Sequence, residues 1–265
     1  MKKTNEAIEN IKLHGYNLDF GTVFNHAFET YKKIAINGGI AFILYLLLLI
    51  IVGGGLVIGI IGFGIDLDDL QNFTIANFSA VGILVYSVIM ILFTALTSPF
   101  NAGLLKMARN ASKNEEFSIG TAFDYYSSSY FKDVFLAALI LSSFTTLVAV
   151  GLELVDYKFL GVVVNLLFSF MTFLTVPLIV FGDLKPLDAI QGSITVVSKQ
   201  FFILLGLLIV AGLFCMLGIF ALCIGIVFTM PIISAITYSI YATAIDDEES
   251  KNIKEEINEN TITFE

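Results

Sequence analysis

Gln200–Ile245, QFFILLGLLIVAGLFCMLGIFALCIGIVFTMPIISAITYSIYATAI, runs for forty-six residues without a charged side chain, between Lys199 and Asp246. At 1.5 Å of rise per residue this is enough helix to cross a ~30 Å hydrocarbon core twice. Four more uncharged windows, Ile34–Ile65, Leu70–Leu105, Val134–Leu152 and Phe159–Gly182, each have room for one crossing of roughly 20 residues. The pattern predicts an all-α, polytopic integral membrane protein with six transmembrane helices.

Composition agrees with lipid as the solvent. A mean hydropathy of +0.88 with 57% apolar residues would force a soluble domain to expose apolar patches well above a few hundred Å². The expected organisation is an N-terminal tail with an amphipathic helix over 1–33, a six-helix membrane domain over 34–245 and an acidic tail over 246–265. The tails are too short and polar to bury cores of their own. No secretory signal pattern precedes the first apolar segment, so the first span is expected to direct insertion.

Lys and Arg set orientation. With six spans, the N-tail, the loop Asn101–Asp133, the loop Asp183–Lys199 and the C-tail share one side. Thirteen of the fourteen basic residues lie there, Lys158 being the exception. The opposite loops carry Asp66, Asp68, Asp69, Glu153 and Asp156. Both termini are therefore expected in the cytoplasm, with the protein in the inner (cytoplasmic) membrane. The net charge of −9 collects largely in the C-tail, which reads as a solvated acidic segment and gives no reason to expect a nucleic-acid partner. Cys215 and Cys223 read as small apolar packing residues: on one helix they lie too far apart for a disulfide.

The chain carries a weak internal repeat. FGTVFNHAFETYKK (Phe20–Lys33) aligns with IGTAFDYYSSSYFK (Ile119–Lys132) at a constant offset of ninety-nine residues, and PLDAIQGSITVVSKQ from Pro186 is a looser third copy. In the first copy Phe20, Val23, Phe24, Ala27, Phe28 and Tyr31 follow the i, i+3, i+4, i+7 pattern. Asp19, Ser118 and Lys185–Pro186 supply suitable helix starts. Each copy is too short and one-sided to span and is expected along the headgroup boundary, which the aromatics of the first two copies suit. The fold is thus expected as three repeats of amphipathic helix plus transmembrane hairpin, in one orientation.

A second element recurs in spans two, four and six: Thr97-Ser98-Pro99, Thr175-Val176-Pro177 and Thr229-Met230-Pro231. Proline inside a span removes a donor and frees a carbonyl one turn earlier, which a threonine hydroxyl or a neighbouring helix can re-satisfy. These residues are candidate packing kinks or hinges. A candidate polar face comprises Asn165, Ser169 and Thr172 in span four with Ser234, Thr237, Tyr238 and Tyr241 in span six. Gly53, Gly54, Gly55, Gly59 and Gly62 read as a close-packing face in span one.

The residues that metal, cofactor or nucleophilic chemistry needs are sparse. There are two histidines, His14 and His26; the first falls in a flexible tail and the second on the polar side of the first amphipathic helix, so both are expected to be solvated. No phosphate loop, nucleophile elbow or histidine–glutamate metal motif occurs. Glu153, Asp156 and Asp183 fall at span ends, leaving no ionisable group at mid-depth to couple transport to an ion.

The segment SPFNAGLLKMARNASKNEEFSIGTAFDYY (Ser98–Tyr126) resembles a feature of bacterial six-span proteins related to the glycerophosphoryl diester phosphodiesterase membrane-domain family. There too a proline-containing even span leads through a short polar stretch to an amphipathic aromatic helix. The resemblance implies architecture and membrane residence; the family's phosphodiesterase activity belongs to a separate soluble domain. The expected function is that of a non-enzymatic membrane protein, without cofactor, that organises membrane lipids or another membrane or cytoplasmic protein. A permease or exporter of a neutral or amphiphilic molecule is the alternative, and a membrane-embedded enzyme a third.

The orientation is checked by single cysteines at Asp68 and Asp156 in a background lacking Cys215 and Cys223. Both are expected to react with an impermeant reagent from outside intact cells, while one at Ser250 stays unlabelled until the cells are opened.

Overall fold

The computed structural model describes residues 2–62, 80–220 and 224–246. Asp66, Asp68, Asp69, Cys223 and the acidic tail from residue 247 lie outside them. Every regular element among the described residues is helical. The order is α1 (Lys2–His14), α2 (Phe20–Gly62), α3 (Ala80–Ser112), a 3-10 segment (Ile119–Tyr126), α4 (Phe131–Leu154), α5 (Lys158–Thr172), α6 (Thr175–Val180), α7 (Pro186–Lys199), α8 (Phe201–Phe220), α9 (Ile224–Thr229) and α10 (Pro231–Ile245). Among the described residues six stretches are long and apolar enough to span a membrane: Phe20–Gly55, Gly82–Ser112, Phe131–Leu154, Lys158–Val180, Phe201–Gly218 and Val227–Ile245. The chain is a multi-pass membrane protein.

The three segments that align in sequence take three different local forms. Phe20–Lys33 is the opening of the continuous helix α2, with no break at residue 33. The Thr22 N–H donates to Asp19 Oδ2 at 2.7 Å, a cap that holds the Asp19 carboxyl below its usual pKa. The second copy is a 3-10 segment that ends at Tyr126. Ser127-Ser128-Ser129 interrupts it, and Ser128 Oγ accepts from the Tyr130 N–H at 3.2 Å, the local serine bond that competes with helix. Only the third is a separate helix over the expected range, Pro186–Lys199, with proline in its first turn.

Burial along α2 is also displaced from the aromatic stripe. Val23, Ala27, Thr30, Ile34, Ala41 and Tyr45 are buried, continuing one helical face from the basic end into the span. Phe20, Phe24, Phe28 and Tyr31 form a ladder beside it, each ring 6.0 to 6.2 Å from the next. Phe214 of α8 closes edge-on against Phe28 and Tyr31.

The N-terminal segment buries more than its length predicts. Ile11 and Leu18 belong to the common core, and α1 packs on α7. A Cβ on Gly192 would sit 2.8 Å from Ile8 Cδ1, so that helix pair meets over a glycine. Tyr16 Oη donates to the Val196 carbonyl at 3.2 Å, and Gln200 Nε2 donates to the Tyr16 carbonyl. Burial pushes the Tyr16 phenol above its usual pKa.

Packing is tight at the end that carries the basic residues and open at the other. At the basic end α2, α3, α6, α7 and α10 bury Phe100, Met107, Leu178, Ile179, Val196, Ile232 and Ile236. Toward the other end α2 exposes Leu47, Ile50 and Ile51, α3 exposes Leu84 and Ile89, and α4 exposes Leu147. Lipid tails satisfy such surfaces as well as a protein neighbour does. Gly53, Gly54 and Gly55 sit in this open half, where an added Cβ would meet nothing within 4 Å among the described residues. Close approach falls nearer the basic end, at Gly38 and Gly39 of α2, where a Cβ would meet Pro231 and Phe228, and at Gly103 of α3, where it would run into the Ala122 backbone carbonyl.

Gly103→Ala should therefore push the 3-10 segment off α3 at a cost of about 1–3 kcal/mol. Gly54→Ala should be neutral or slightly stabilising, since alanine is the better helix former. Thermal unfolding of the two variants in the same detergent measures the difference.

Candidate functional site

At the basic end α2, α3 and α10 converge on His26, which is 7% exposed. Its Nδ1 shares a 2.8 Å hydrogen bond with Ser239 Oγ, and its Nε2 one of 2.8 Å with Ser112 Oγ. A neutral imidazole has one donor and one acceptor, and each hydroxyl can rotate to whichever role is left. The Tyr238 ring lies alongside, 6.5 Å away. This corrects the expected solvation of His26. The side of α2 that looks polar in isolation faces two helices whose serines arrive from 86 and 213 residues away, beyond the reach of any local pattern. His14 is exposed as expected, though in the last turn of α1, where its Nδ1 bonds to Asn10 Oδ1 at 2.8 Å.

Beside the histidine lies an aromatic cluster around Arg109, which is half-buried in the last turn of α3. Its guanidinium carbon stands 5.5 Å from the centre of the Phe181 ring, a cation–π contact. Phe181 meets Tyr238 edge-on at 5.7 Å and Tyr241 at 5.6 Å. Tyr125, from the 3-10 segment, packs against Tyr130 at 6.3 Å, and Tyr130 Oη donates to Asp183 Oδ1 at 3.4 Å. Asp183 has φ of 54°, the left-handed conformation that ends the α6 turn. Burial pushes the Tyr125 phenol up to about 12. It raises that of Tyr130 too, with help from the Asp183 charge.

Charged bonds tie this end together. Lys33 Nζ donates to the Ala111 carbonyl at 3.1 Å and to Asn114 Oδ1 at 2.8 Å, placing a cation at the C-terminus of α3. Lys106 pairs with Asp124 at 2.7 Å and Lys185 with Asp133 at 3.1 Å. These pairs are partly exposed and each contributes at most ~1 kcal/mol. Their value is positional: they hold the 3-10 segment to α3 and the start of α7 to the start of α4.

The three threonine–proline elements fall in three settings. Pro99 lies inside the unbroken α3. The Ala95 carbonyl one turn earlier accepts from Ser98 Oγ at 2.8 Å, so the serine beside the proline does what Thr97 was expected to do; Thr97 Oγ1 donates to Thr94 O at 2.9 Å. Before Pro177 the helix breaks between α5 and α6. There Ser193 of α7, fully buried, donates to the Met171 carbonyl at 2.8 Å and accepts the Leu174 N–H at 3.1 Å. Thr175 Oγ1 is buried without a hydrogen-bond partner. Before Pro231 the break between α9 and α10 is bridged to α8: Cys215 Sγ donates to the Thr229 carbonyl at 3.6 Å and Thr229 Oγ1 to the Cys215 carbonyl at 3.5 Å.

The candidate polar face divides in two. Asn165 Nδ2 donates to the Thr145 carbonyl on α4 at 3.1 Å, Ser169 is exposed, and Thr172 Oγ1 bonds back to the Phe168 carbonyl at 2.8 Å. On α10, Ser234 is half-buried, while Thr237, Tyr238 and Tyr241 are buried, the two tyrosines against Phe181. The side chains of Leu178, Ile179, Ile232 and Ile236 fill the core beside them. Sequence reasoning missed His26, Ser193 and Arg109 as organising residues. Ser193 alone carried a local signal, since it shares the buried face of α7 with Ala189, Gly192, Val196 and Val197.

No family model, curated protein or solved structure matches the chain, so its functional reading rests on its own residues.

His26→Ala should leave the fully buried Ser239 hydroxyl without its partner at a cost of about 1–3 kcal/mol. In a double-mutant cycle with Ser239→Ala the two losses should fall short of additive by about 0.5 kcal/mol or more. Unfolding in detergent reads both.

Proposed function

We propose that this chain is a non-enzymatic inner-membrane protein, both termini in the cytoplasm, that organises a partner protein or its lipid surroundings through its cytoplasmic end. The observation that carries the reading is where the chain spends its packing. The basic end is a folded cap in which α1, the 3-10 segment and α7 lock onto the spans, and α2, α3 and α10 join at His26. Connecting loops alone do not need such a cap. The aromatic ladder Phe20–Tyr31 and the basic residues give this end a surface suited to headgroups.

A permease for a neutral or amphiphilic solute is the second reading. It is supported by the helix breaks before Pro177 and Pro231, because discontinuous helices line many transport sites. The likeness of Ser98–Tyr126 to the six-span bacterial family bears on architecture and favours neither reading.

Two measurements separate them. Photo-crosslinking residues at Leu13 and Leu187, both exposed at the cap, should give discrete protein or lipid adducts in native membranes, and one at the equally exposed Leu147 only diffuse lipid labelling. Proteoliposomes should swell in glycerol, urea or sugar alcohols at the rate of empty vesicles. Faster swelling that Ser193→Ala alters would establish the permease.

A further inference from the structure

The turn between α4 and α5, at the end of the bundle opposite the packed base, is closed by a fixed set of bonds. Val155, Asp156 and Tyr157 join the two helices. The Tyr157 N–H donates to the Leu152 carbonyl at 2.8 Å and the Asp156 N–H to the Glu153 carbonyl at 3.1 Å, with Asp156 at φ of 65°. This is a Schellman ending, which occupies carbonyls that the end of α4 would otherwise leave free. Across the turn Lys158 Nζ stands 2.7 Å from Glu153 Oε1. What the closed turn presents outward is apolar: Leu154, Val155, Tyr157 and Phe159 are each more than half exposed, Phe159 to 82%.

Charge and helix length place this surface. α4 carries Asp133 in its first turn and no further charge until Glu153, twenty residues on. At 1.5 Å per residue that is about 30 Å, the thickness of the hydrocarbon core. The returning limb is likewise uncharged between Lys158 and Asp183, so both limbs bring their charges to the same two levels. Headgroups add roughly 5–8 Å on each face of the core. A docking patch for a soluble protein would have to stand clear of them, and a three-residue turn is too short to do so. At this level large apolar side chains lie directly beside the Glu153–Lys158 pair, a mixture that the boundary between water and hydrocarbon accommodates better than either solvent alone.

We propose that the α4–α5 turn is a lipid-binding surface, seated in the headgroup boundary of the leaflet opposite the basic end, with Tyr157 and Phe159 as its aromatic anchors. A tyrosine ring enters the acyl boundary while its hydroxyl stays among headgroups, and phenylalanine adds apolar area beside it. Glu153 and Lys158 remain paired and hydrated at that depth. Because the Schellman bonds and the ion pair already fix the turn, its apolar side chains meet lipid with little ordering cost. The protein is then held at both boundaries, by its packed base at one and by this turn at the other, and the depth of the α4–α5 pair is set between them. The surface goes beyond the organising role proposed above, which concerns the basic end, and stands under either functional reading.

The chain contains no tryptophan, so one substitution gives the full-length protein a single fluorescent reporter. Phe159→Trp and Val155→Trp place it on the turn; Leu147→Trp, at an exposed position of α4 nearer mid-depth, is the reference. Each protein is reconstituted in phosphatidylcholine vesicles whose acyl chains carry bromine either near the headgroup or near the chain end. Fluorescence from the turn is expected to be lost chiefly to the shallow bromines, and that from Leu147→Trp chiefly to the deep ones. Iodide in the water should quench the turn reporters several-fold less than it quenches free tryptophan. Quenching by iodide as in free tryptophan and by neither lipid would put the turn in water. Shielding from iodide and from both lipids would put a protein, or a second copy, over it, and quenching chiefly by the deep bromines would put it in hydrocarbon. Any of these three results, found at both turn positions, overturns the proposal.

Discussion

Hydrocarbon offers no hydrogen bonds, and this one constraint decides how the spans may deviate from ideal helices. A helix broken in water finds solvent; one broken in lipid must find another part of the chain. Before Pro177 the partner is Ser193, which both donates to Met171 and accepts from Leu174. That makes α7 a structural requirement of the α5–α6 break. The dependency continues outward, because Ile8 of α1 rests on Gly192, the residue before that serine. It also continues inward, because α6 ends at Phe181, the ring that carries Arg109 on one side and meets Tyr238 and Tyr241 on others. A contact at the N-terminal helix is thus linked through one buried hydroxyl to the aromatic cluster.

The uneven packing follows from the same solvent. In lipid, helices gain little by burying leucine against leucine, so association depends on close backbone approach and polar contacts. The basic end supplies both: Ala102, Gly103, Ala108 and Ala111 on α3, Ala235 and Ala242 on α10, and the His26 junction between α2, α3 and α10. The far half of α2 and α3 exposes large aliphatics instead, and it stays open. One end is a packed base, the other a set of lipid-facing helices.

Much of the fold was legible because charge is nearly forbidden in the spans. The uncharged windows locate all six, and the Asp19 cap and the Pro186 start appear where side-chain chemistry puts them. Local form after Ser118 was not legible, because the aromatic periodicity that argues for helix competes with Ser127-Ser128-Ser129, and the serines win. The site was legible least. Periodicity ranks a face as apolar or polar, but it cannot show that a polar face meets another one. His26, Ser112 and Ser239 are each unremarkable in sequence, and only the packing of three helices brings their polar atoms together.

That packing also bears on whether the broken spans move. A hinge in a membrane helix needs an alternative partner for each polar group it exposes on opening. At the α5–α6 break one side chain holds both a backbone donor and a backbone acceptor, and at the α9–α10 break the Cys215–Thr229 pair is reciprocal. Opening either would strand two backbone groups at once, in a medium where each unpaired group costs several kcal/mol. Beside them the Leu178, Ile179, Ile232 and Ile236 side chains are apolar and buried. Breaks tied off in this way lead into α6, which ends at the Phe181 ring under Arg109, and into α10, which carries the Ser239 partner of His26; the bonds that hold them fit the organising role proposed above.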